Sequence, residues 1–412
     1  MTTDNPDQTR PPAAGAPAGR GRTGGRRRRR RVIAAGVAAA GVAVLGVPAA
    51  ALGLTGSLGA APVSPPAANV AQHAIKFAIG NAARPAEAAD APAATPAPGV
   101  SSTASADYHA YVALAGGFSV AEVDAASDSI LADSISADSP EGVAVTPDGG
   151  TVYVAQTGQY SVIAVDASTG AETPVQVGPY PQDVAVSPDG KQVYATVTGG
   201  DTGPGGSDTV AVISTATNTV TGNITVGSGP RQVVFSPDGT RAYVTTETGI
   251  DVISTAAGKV VRVIPDPGGP QGLAVSPGGK TLYVTNPNAD DLWVISAATG
   301  RVMDRIAAGA QPYAVAVTPD GGTAYVTDMN SDSVSAISTS ALRTIATVHV
   351  GRLPEAVAVT PDGRQVWVGN DLSGNITVIN PAANTVTTTI SGGSGTATLL
   401  AGPLGIAFTK AG

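Results

Sequence analysis

The sequence repeats one turn motif six times, and this repetition restricts the possible fold more than any other feature. Pro-Asp-Gly, or the near-copy Pro-Gly-Gly, recurs at intervals of 41, 49, 40, 42 and 42 residues, beginning at Pro147, Pro188, Pro237, Pro277, Pro319 and Pro361. Proline presets φ at the first corner of a tight turn, aspartate bonds its own backbone, and glycine takes the left-handed position. Each copy therefore predicts a hairpin between two strands.

An apolar strand precedes each turn and a Tyr-Val-type strand follows it. The copy around Pro319 reads AVAVT before the turn and YVTD after it. A third apolar strand comes next, and a fourth follows a turn rich in Thr, Ser and Ala. Four short antiparallel strands bury neither face of their sheet alone, so the repeat predicts several such sheets packed around a common axis.

The composition agrees with an all-β fold and removes several kinds of site. The 412 residues include 52 glycines and 32 prolines, and only 13% are charged, as is typical of short strands joined by turns. Cysteine is absent, which excludes disulfides, thiolate metal sites, covalently attached haem and a cysteine nucleophile. Three histidines are too few for a centre with several imidazole ligands.

The two ends of the repeat region complete one another. The chain enters at Tyr108 with the second-strand pattern YHAYVAL and finishes with the first-strand pattern GPLGIAFTKAG. We call each four-stranded sheet a blade. We expect strand 404–409, from the end of the chain, to join three strands from 109–135 in the first blade. This three-plus-one closure gives a ring of seven blades. Such closure removes the free sheet edges that promote aggregation.

The first strand of each unit carries one column of small residues. Six of its seven members are alanine and the other is valine, and they are Ala144, Ala185, Val234, Ala274, Ala316, Ala358 and Ala407. Small side chains suit strands that crowd near an axis. The apolar columns on either side predict an innermost strand that is buried on both faces.

An intact Tyr-Val-Thr-Asn motif stands at Tyr283, Val284, Thr285 and Asn286. With the repeat around it, this motif resembles the YVTN-repeat β-propeller family over nearly all of residues 108–412. The resemblance implies a seven-bladed propeller like those of archaeal surface-layer proteins and bacterial periplasmic or exported proteins, which generally have no assigned catalysis. Fold transfers through such a resemblance more readily than function does.

The first 107 residues carry export and linker signals. Residues 1–31 form a basic region that ends in six consecutive arginines, and residues 32–54 are an uncharged run of 23 residues. This pair predicts a cytoplasmic N-terminus followed by either a cleaved signal peptide or a retained membrane anchor, and residues 29–33 also resemble a twin-arginine export signal. Residues 55–107 are rich in Ala and Pro and predict a linker. The repeat domain is therefore expected outside the cell or on its surface.

The repeat region is strongly acidic. Residues 108–412 contain 12 Lys and Arg against 26 Asp and Glu, which is a net charge of −14. Such a surface repels phosphate backbones, so nucleic acid is not an expected partner. A cell-surface protein, a wall glycan or a small polar ligand is the expected partner instead. We expect the protein to be a monomer without a cofactor. It would contact the membrane only through residues 32–54, if that segment is not cleaved.

The start of each first strand is varied and polar, unlike the rest of the repeat. These positions ring the mouth of the axial channel in a propeller, where ligands commonly bind. The predicted ligand-binding residues are Glu141, Gln182, Asp183, Arg231, Gln271, Tyr313 and Glu355. A second tier at the ends of the Tyr-Val strands comprises Gln156, Glu247, Asn286, Asp328 and Asn370.

No catalytic motif accompanies these polar residues. The sequence lacks a Gly-x-Ser-x-Gly elbow and a complete calcium loop, and the mouth column holds no histidine. We therefore expect a non-enzymatic binding module without catalytic or metal-binding residues. The alternative is a metal-assisted lactonase or lyase, because the fold resembles seven-bladed lactonases and streptogramin lyases. In that case Glu141, Asp183 and Glu355 would hold a divalent cation.

Overall fold

A computed structural model describes residues 108–131, 135–199, 208–266, 268–391 and 402–410. These residues form seven antiparallel sheets and two short 3₁₀ turns, Ala115–Gly117 and Met329–Ser331. The prediction of an all-β, seven-bladed propeller is confirmed. The predicted segments 1–31, 32–54 and 55–107 lie outside the described residues. Within the described part of the chain, no helix has the length and apolar character needed to cross a bilayer.

The strands follow the predicted order of four per repeat. Blade one begins with β1 (Tyr108–Leu114), β2 (Ser119–Asp124), β3 (Ser129–Ile130) and β4 (Ile135–Ser136). Blade two contains β5 (Pro140–Val145), β6 (Thr151–Gln156), β7 (Ser161–Asp166) and β8 (Glu172–Gln176). The third blade consists of β9 (Pro181–Val186), β10 (Gln192–Val197), β11 (Thr209–Ser214) and β12 (Thr219–Thr225). In blade four are β13 (Val233–Phe235), β14 (Arg241–Thr246), β15 (Gly249–Ser254) and β16 (Lys259–Pro265).

The remaining blades repeat the same arrangement. Blade five contains β17 (Leu273–Val275), β18 (Thr281–Asn286), β19 (Asp291–Ser296) and β20 (Val302–Ala307). The sixth blade consists of β21 (Pro312–Val317), β22 (Thr323–Asp328), β23 (Ser333–Ser338) and β24 (Arg343–His349). Blade seven has β25 (Pro354–Val359), β26 (Val366–Asn370), β27 (Asn375–Asn380) and β28 (Thr385–Ser391). The final strand is β29 (Pro403–Lys410).

Blade one joins the two ends of the described chain. β29 pairs antiparallel with β1, so the strand order is β29, β1, β2, β3, while β4 also pairs with β2. The register places Tyr108 opposite Lys410 and Tyr111 opposite Ala407. This pairing is compatible with the predicted three-plus-one closure, with the outer strand divided into two short pieces.

The Pro-Asp-Gly turns close the hairpins between first and second strands through a repeated side-chain contact. In blade two the Thr146 hydroxyl donates to Asp148 Oδ1 at 2.6 Å and accepts from the Thr151 N–H at 3.0 Å. Gly149 has a φ of 75°, the left-handed conformation that favours glycine. The hydroxyl-to-carboxylate contact recurs between residues 187 and 189, 236 and 238, 318 and 320, and 360 and 362.

The aromatic residue of each second strand joins its blade to the next. These side chains are all buried, and they are Tyr111, Tyr153, Tyr194, Tyr243, Tyr283, Tyr325 and Trp367. The Tyr153 hydroxyl donates to Asn218 Oδ1 of blade three at 2.6 Å. The Tyr325 hydroxyl donates to Asn384 Oδ1 of blade seven at 2.8 Å. Because burial of one large apolar side chain contributes roughly 1.5–3 kcal/mol, this column is a main source of cohesion between blades.

The first strands are more exposed than the sequence predicts. Ala144, Ala185 and Val234 are only partly buried, and they line the axial cavity. The prediction of an innermost strand buried on both faces is therefore wrong. The seven first strands leave an open channel along the axis instead of meeting there.

Candidate functional site

All seven residues predicted to bind ligand lie in the wall of one axial cavity. Its volume is about 590 Å³, and its wall also includes Gln232 and Leu404. The seven residues stand where the first strands begin, so they gather around one end of the cavity from different blades. The structure thus brings together side chains that are far apart in the sequence, and their role in binding stays a prediction.

The second residue after the proline that precedes or begins each first strand is large and polar in only two blades. It is small in five blades, namely Gly142, Gly272, Ala314, Ala356 and Gly405. In blade three it is Asp183, whose Oδ2 accepts the Val233 N–H at 3.0 Å. In blade four it is Gln232, whose Oε1 accepts the Leu273 N–H at 2.6 Å. Asp183 and Gln232 therefore connect adjacent blades as well as lining the cavity.

The threonine of the second strands fixes the backbone of the mouth. The Thr196 hydroxyl donates to the Arg231 carbonyl at 2.7 Å, and the Thr285 hydroxyl donates to the Tyr313 carbonyl at 2.7 Å. The equivalent bond to the Gln271 carbonyl is 3.1 Å long. Both Thr196 and Thr285 are fully buried. The Thr of Tyr-Val-Thr-Asn therefore positions a mouth residue of the next blade, a role that sequence reasoning did not identify.

Charges of both signs meet at the mouth. The Arg231 guanidinium donates to Gln271 Oε1 at 3.1 Å, and both residues belong to the cavity wall. Tyr313 has a strongly raised pKa, because burial disfavours the phenolate and the carboxylates of Glu355 and Glu141 repel it, while Arg231 acts in the opposite direction. The phenol is therefore a neutral hydrogen-bond donor near one guanidinium and two carboxylates.

Asp183 is the mouth carboxyl with the clearest change in acidity. Burial raises its pKa from an ordinary value of 3.8 to about 7, although the N–H groups of Val233 and Val184 favour the carboxylate. Between these two values the folded chain holds a proton that the unfolded chain has lost. The free energy of unfolding therefore decreases as the pH rises from about 4 to about 7.

We expect Asp183→Asn to remove this loss of stability. The amide keeps an oxygen acceptor for the Val233 N–H without a charge, as the Gln232 amide does for the next blade. Thermal unfolding followed by circular dichroism should show a variant several degrees more stable than wild type at pH 8 and equal to it near pH 4. Asp189→Asn is the matched control, because a hydrogen bond from Ser187 lowers the Asp189 pKa, so that variant should lose stability at pH 8. A Tm difference for Asp183→Asn that does not change with pH would contradict this reasoning.

The mouth carboxylates do not form a metal-binding set. Among the described residues, no three His, Asp or Glu side chains lie close enough to share a metal ion. Glu141, Asp183 and Glu355, the trio considered for a divalent cation, therefore lack the arrangement that such an ion needs.

The second tier of polar residues lies between blades and outside the cavity wall. Four of its members are buried, namely Gln156, Asn286, Asp328 and Asn370. Glu247 is exposed. Glycines that cross from one blade to the next pack onto the buried members, since a Cβ at Gly309 would lie 2.5 Å from Asp328 Cγ and one at Gly351 would lie 2.7 Å from Asn370 Cγ. The structure thus separates these residues from the mouth.

Comparison with known proteins adds information about this mouth. The family described as lactonase, 7-bladed β-propeller, matches residues 205–338. The chain is a seven-bladed β-propeller, and lactonases share that fold. Curated proteins yield no match.

Solved structures with the same fold come from several bacteria. Hydrazine synthase of Kuenenia stuttgartiensis is 27% identical, with a TM-score of 0.59, covering 65% of this chain and 90% of that one. The periplasmic gluconolactonase of Pseudomonas aeruginosa is 20% identical, with a TM-score of 0.58, covering 74% and 99%. A functionally unknown protein from Desulfotomaculum acetoxidans is 14% identical, with a TM-score of 0.61, covering 73% and 98%. At these two lower identities the likeness shows the fold alone.

The match to the lactonase family corrects the function predicted from the sequence. A non-enzymatic binding module was expected because the mouth lacks a catalytic motif. That expectation is wrong, since residues 205–338 match the model of a family named for an enzyme. The absence of a motif misled because the seven mouth residues come from six different blades, so no short stretch of sequence contains the site.

Proposed function

We propose that the chain is a lactonase-type hydrolase whose reaction takes place at the axial mouth. The observation that carries this proposal is the match over residues 205–338, because that segment contains Arg231, Gln271 and Tyr313 of the cavity wall. The guanidinium and the phenol of the mouth thus belong to the part of the chain that matches the lactonases. Glu355 and Glu141 lie outside that segment and complete the wall.

Hydrolysis of a cyclic ester needs a polarised carbonyl group and a base for the attacking water. Arg231, held by Gln271, donates hydrogen bonds to the carbonyl oxygen as negative charge develops there. Glu355 takes the proton from the water as its oxygen bonds to the carbonyl carbon. When the ring C–O bond breaks, Glu355 returns that proton to the ring oxygen, towards which the neutral Tyr313 donates a hydrogen bond. The product is a hydroxy acid, which ionises at neutral pH and releases one proton.

Glu355 is chosen as the base because of its relation to Tyr313. Its negative charge is the strongest charged influence on the Tyr313 phenol, ahead of that of Glu141. Both residues line the cavity wall, at the start of the first strands of the adjacent blades six and seven. This scheme uses no metal.

We expect the full chain to release one proton per lactone opened, and Glu355→Gln to lower kcat by about 10²–10⁴-fold, the usual contribution of a general base. Proton release in weak buffer, measured over a panel of alkyl, polyhydroxy and acylamino lactones, is the direct assay. Glu172→Gln is the matched control, because Glu172 is exposed on the outer strand β8. The proposal fails if the wild-type chain hydrolyses no lactone of the panel faster than buffer alone does.

We also propose that this enzyme is an exported or surface-anchored YVTN-type repeat protein. The intact motif at 283–286 supports the repeat assignment, since its Tyr is buried and its Thr bonds to the next blade. The six arginines and the uncharged run at 32–54 support export. The mass of the protein recovered from outside the cytoplasm would distinguish a cleaved signal from a retained anchor.

A further inference from the structure

Buried polar atoms without hydrogen-bond partners gather at the junction of blades four and five. Four of the seven such atoms among the described residues are Asp266 Oδ2, Asn286 Oδ1, Asp291 Oδ1 and Trp293 Nε1. Asp266 and Asn286 are 0% and 2% exposed. An unpartnered buried acceptor destabilises the folded state, so three of them in one place need an explanation.

The residues concerned are close neighbours. The Asn286 side-chain N–H points to Asp266 Oδ1 at 3.4 Å, and Asn286 faces Asp291 across β18 and β19. Burial raises the pKa of Asp291, the Arg305 charge and the nearby Trp293 N–H act to lower it, and the negative charge of Asp266 acts to raise it. Asp266 follows β16, on the crossover that leads to Gln271 at the mouth. The three acceptors thus come from the crossover and from two strands of blade five.

Blade six shows how the same position is satisfied by protein groups. There Asp328 replaces Asn286 and accepts the Gly309 N–H at 2.9 Å, the Ser335 hydroxyl at 2.7 Å and the Ser333 hydroxyl at 3.4 Å. Blade five has Asp291 and Trp293 where blade six has these two serines. Two hydroxyl donors are therefore replaced by a carboxylate and an indole. Asp291 therefore places an acceptor where Ser333 supplies a hydroxyl donor, while the Trp293 indole N–H is still a donor.

We propose that Asp266, Asn286 and Asp291 bind a hard metal cation of the calcium type. Carboxylate and amide oxygens are the ligands that Ca²⁺ takes in proteins. A bound cation would supply positive charge directly to all three oxygens, in addition to the charge of Arg305 that acts on both carboxylates. The one guanidinium nearby belongs to Arg305, which stacks over the Trp293 ring at 4.3 Å. Two carboxylates against one guanidinium leave the site negative.

This site is separate from the axial mouth and from the proposed hydrolysis. It contains two carboxylates and one amide oxygen, so it differs from a cluster of three acidic or histidine ligands. Its expected effect is to hold the crossover between blades four and five. A Cβ at Gly268 on this crossover would lie 2.2 Å from the Asn286 amide, so the crossover packs directly on the site.

The test is thermal unfolding of the full chain, first treated with EDTA, then with CaCl₂, MgCl₂ or NaCl added separately. Calcium at 100 times its Kd should raise the Tm by about 5 °C, and titration calorimetry should give one ion per chain. Asp266→Asn and Asp291→Ser should lose this response. Asp291→Ser introduces the residue of blade six, so it is designed to fold whether or not an ion is present.

Two controls separate this site from other effects. Asp328→Asn should lower the Tm while keeping the full calcium response, because it changes the equivalent site in blade six. Glu355→Gln should keep the response as well, because the mouth is a different place. The proposal is overturned if no cation changes the wild-type Tm, or if Asp291→Ser responds to calcium as wild type does. In either case water or a shared proton satisfies the three oxygens.

Discussion

Arg231→Gln is expected to lower kcat/KM for lactone hydrolysis by about 10²–10³-fold, the usual cost of removing one donor to a developing oxyanion. Arg231 supplies the guanidinium of the cavity wall, and Gln271 holds it at 3.1 Å. Glutamine keeps a neutral N–H donor but removes the charge and the forked geometry that suit an oxyanion. Steady-state proton release on the best lactone of the panel would measure the loss.

Two further variants define what Arg231 contributes. Arg231→Lys keeps the charge and should recover only part of the rate, because a single ammonium group does not reproduce the fork. Arg262→Gln is the matched control, because Arg262 also lies within residues 205–338 but belongs to the outer strand β16 and donates to the Ala298 carbonyl at 2.8 Å. Equal losses for Arg231→Gln and Arg262→Gln would mean that stability, and not the mouth, governs the rate.

The fold was predictable because the repeated turn motifs mark where the hairpins and strands of each blade lie. Each Pro-Asp-Gly motif marks a hairpin, and the ends of the chain supply the strands that one blade needs. Contacts between blades were not predictable to the same degree. Tyr283 and Thr285 are two residues apart in one strand, and the Thr285 hydroxyl reaches the carbonyl of Tyr313, 28 residues further on. A single sequence does not display a bond of that range.

The sequence predicted which residues line the mouth, but it did not predict what each of them contacts. The start of each first strand was identified because it varies where the rest of the repeat does not. Asp183 was predicted there only as a ligand-binding residue, yet Asp183 and Gln232 each accept a backbone N–H of the next blade. The lactonase reading was only the alternative to a binding module, because Arg231, Gln271 and Tyr313 form no local motif and become neighbours only when the ring is built.

Deleting residues 403–410 is expected to abolish cooperative folding of the propeller. β29 supplies the inner strand of blade one, and its pairing with β1 runs from Tyr108 to Leu114. Phe408 packs edge-on against Trp367 of blade seven with ring centroids 5.3 Å apart, and Ile406 joins the same apolar cluster. Without β29, the ring opens beside blade one and β1 becomes a free edge. Since a domain is stable by only about 5–15 kcal/mol, the lost strand is worth a large part of the total.

A relocated strand tests whether closure itself is the cause. In the register of blade one, Lys410 lies opposite Tyr108, so a short hairpin loop can join residues 402–410 to the front of Tyr108. The variant that carries this strand before Tyr108 instead of at the C-terminus should regain a cooperative thermal transition. The same inner strand then pairs with β1 and completes blade one. If the deleted chain already unfolds cooperatively, with a Tm within a few degrees of wild type, then the seven blades hold together without closure. If deletion destroys the transition and relocation does not restore it, the covalent connection from blade seven to β29 is required in addition to the pairing.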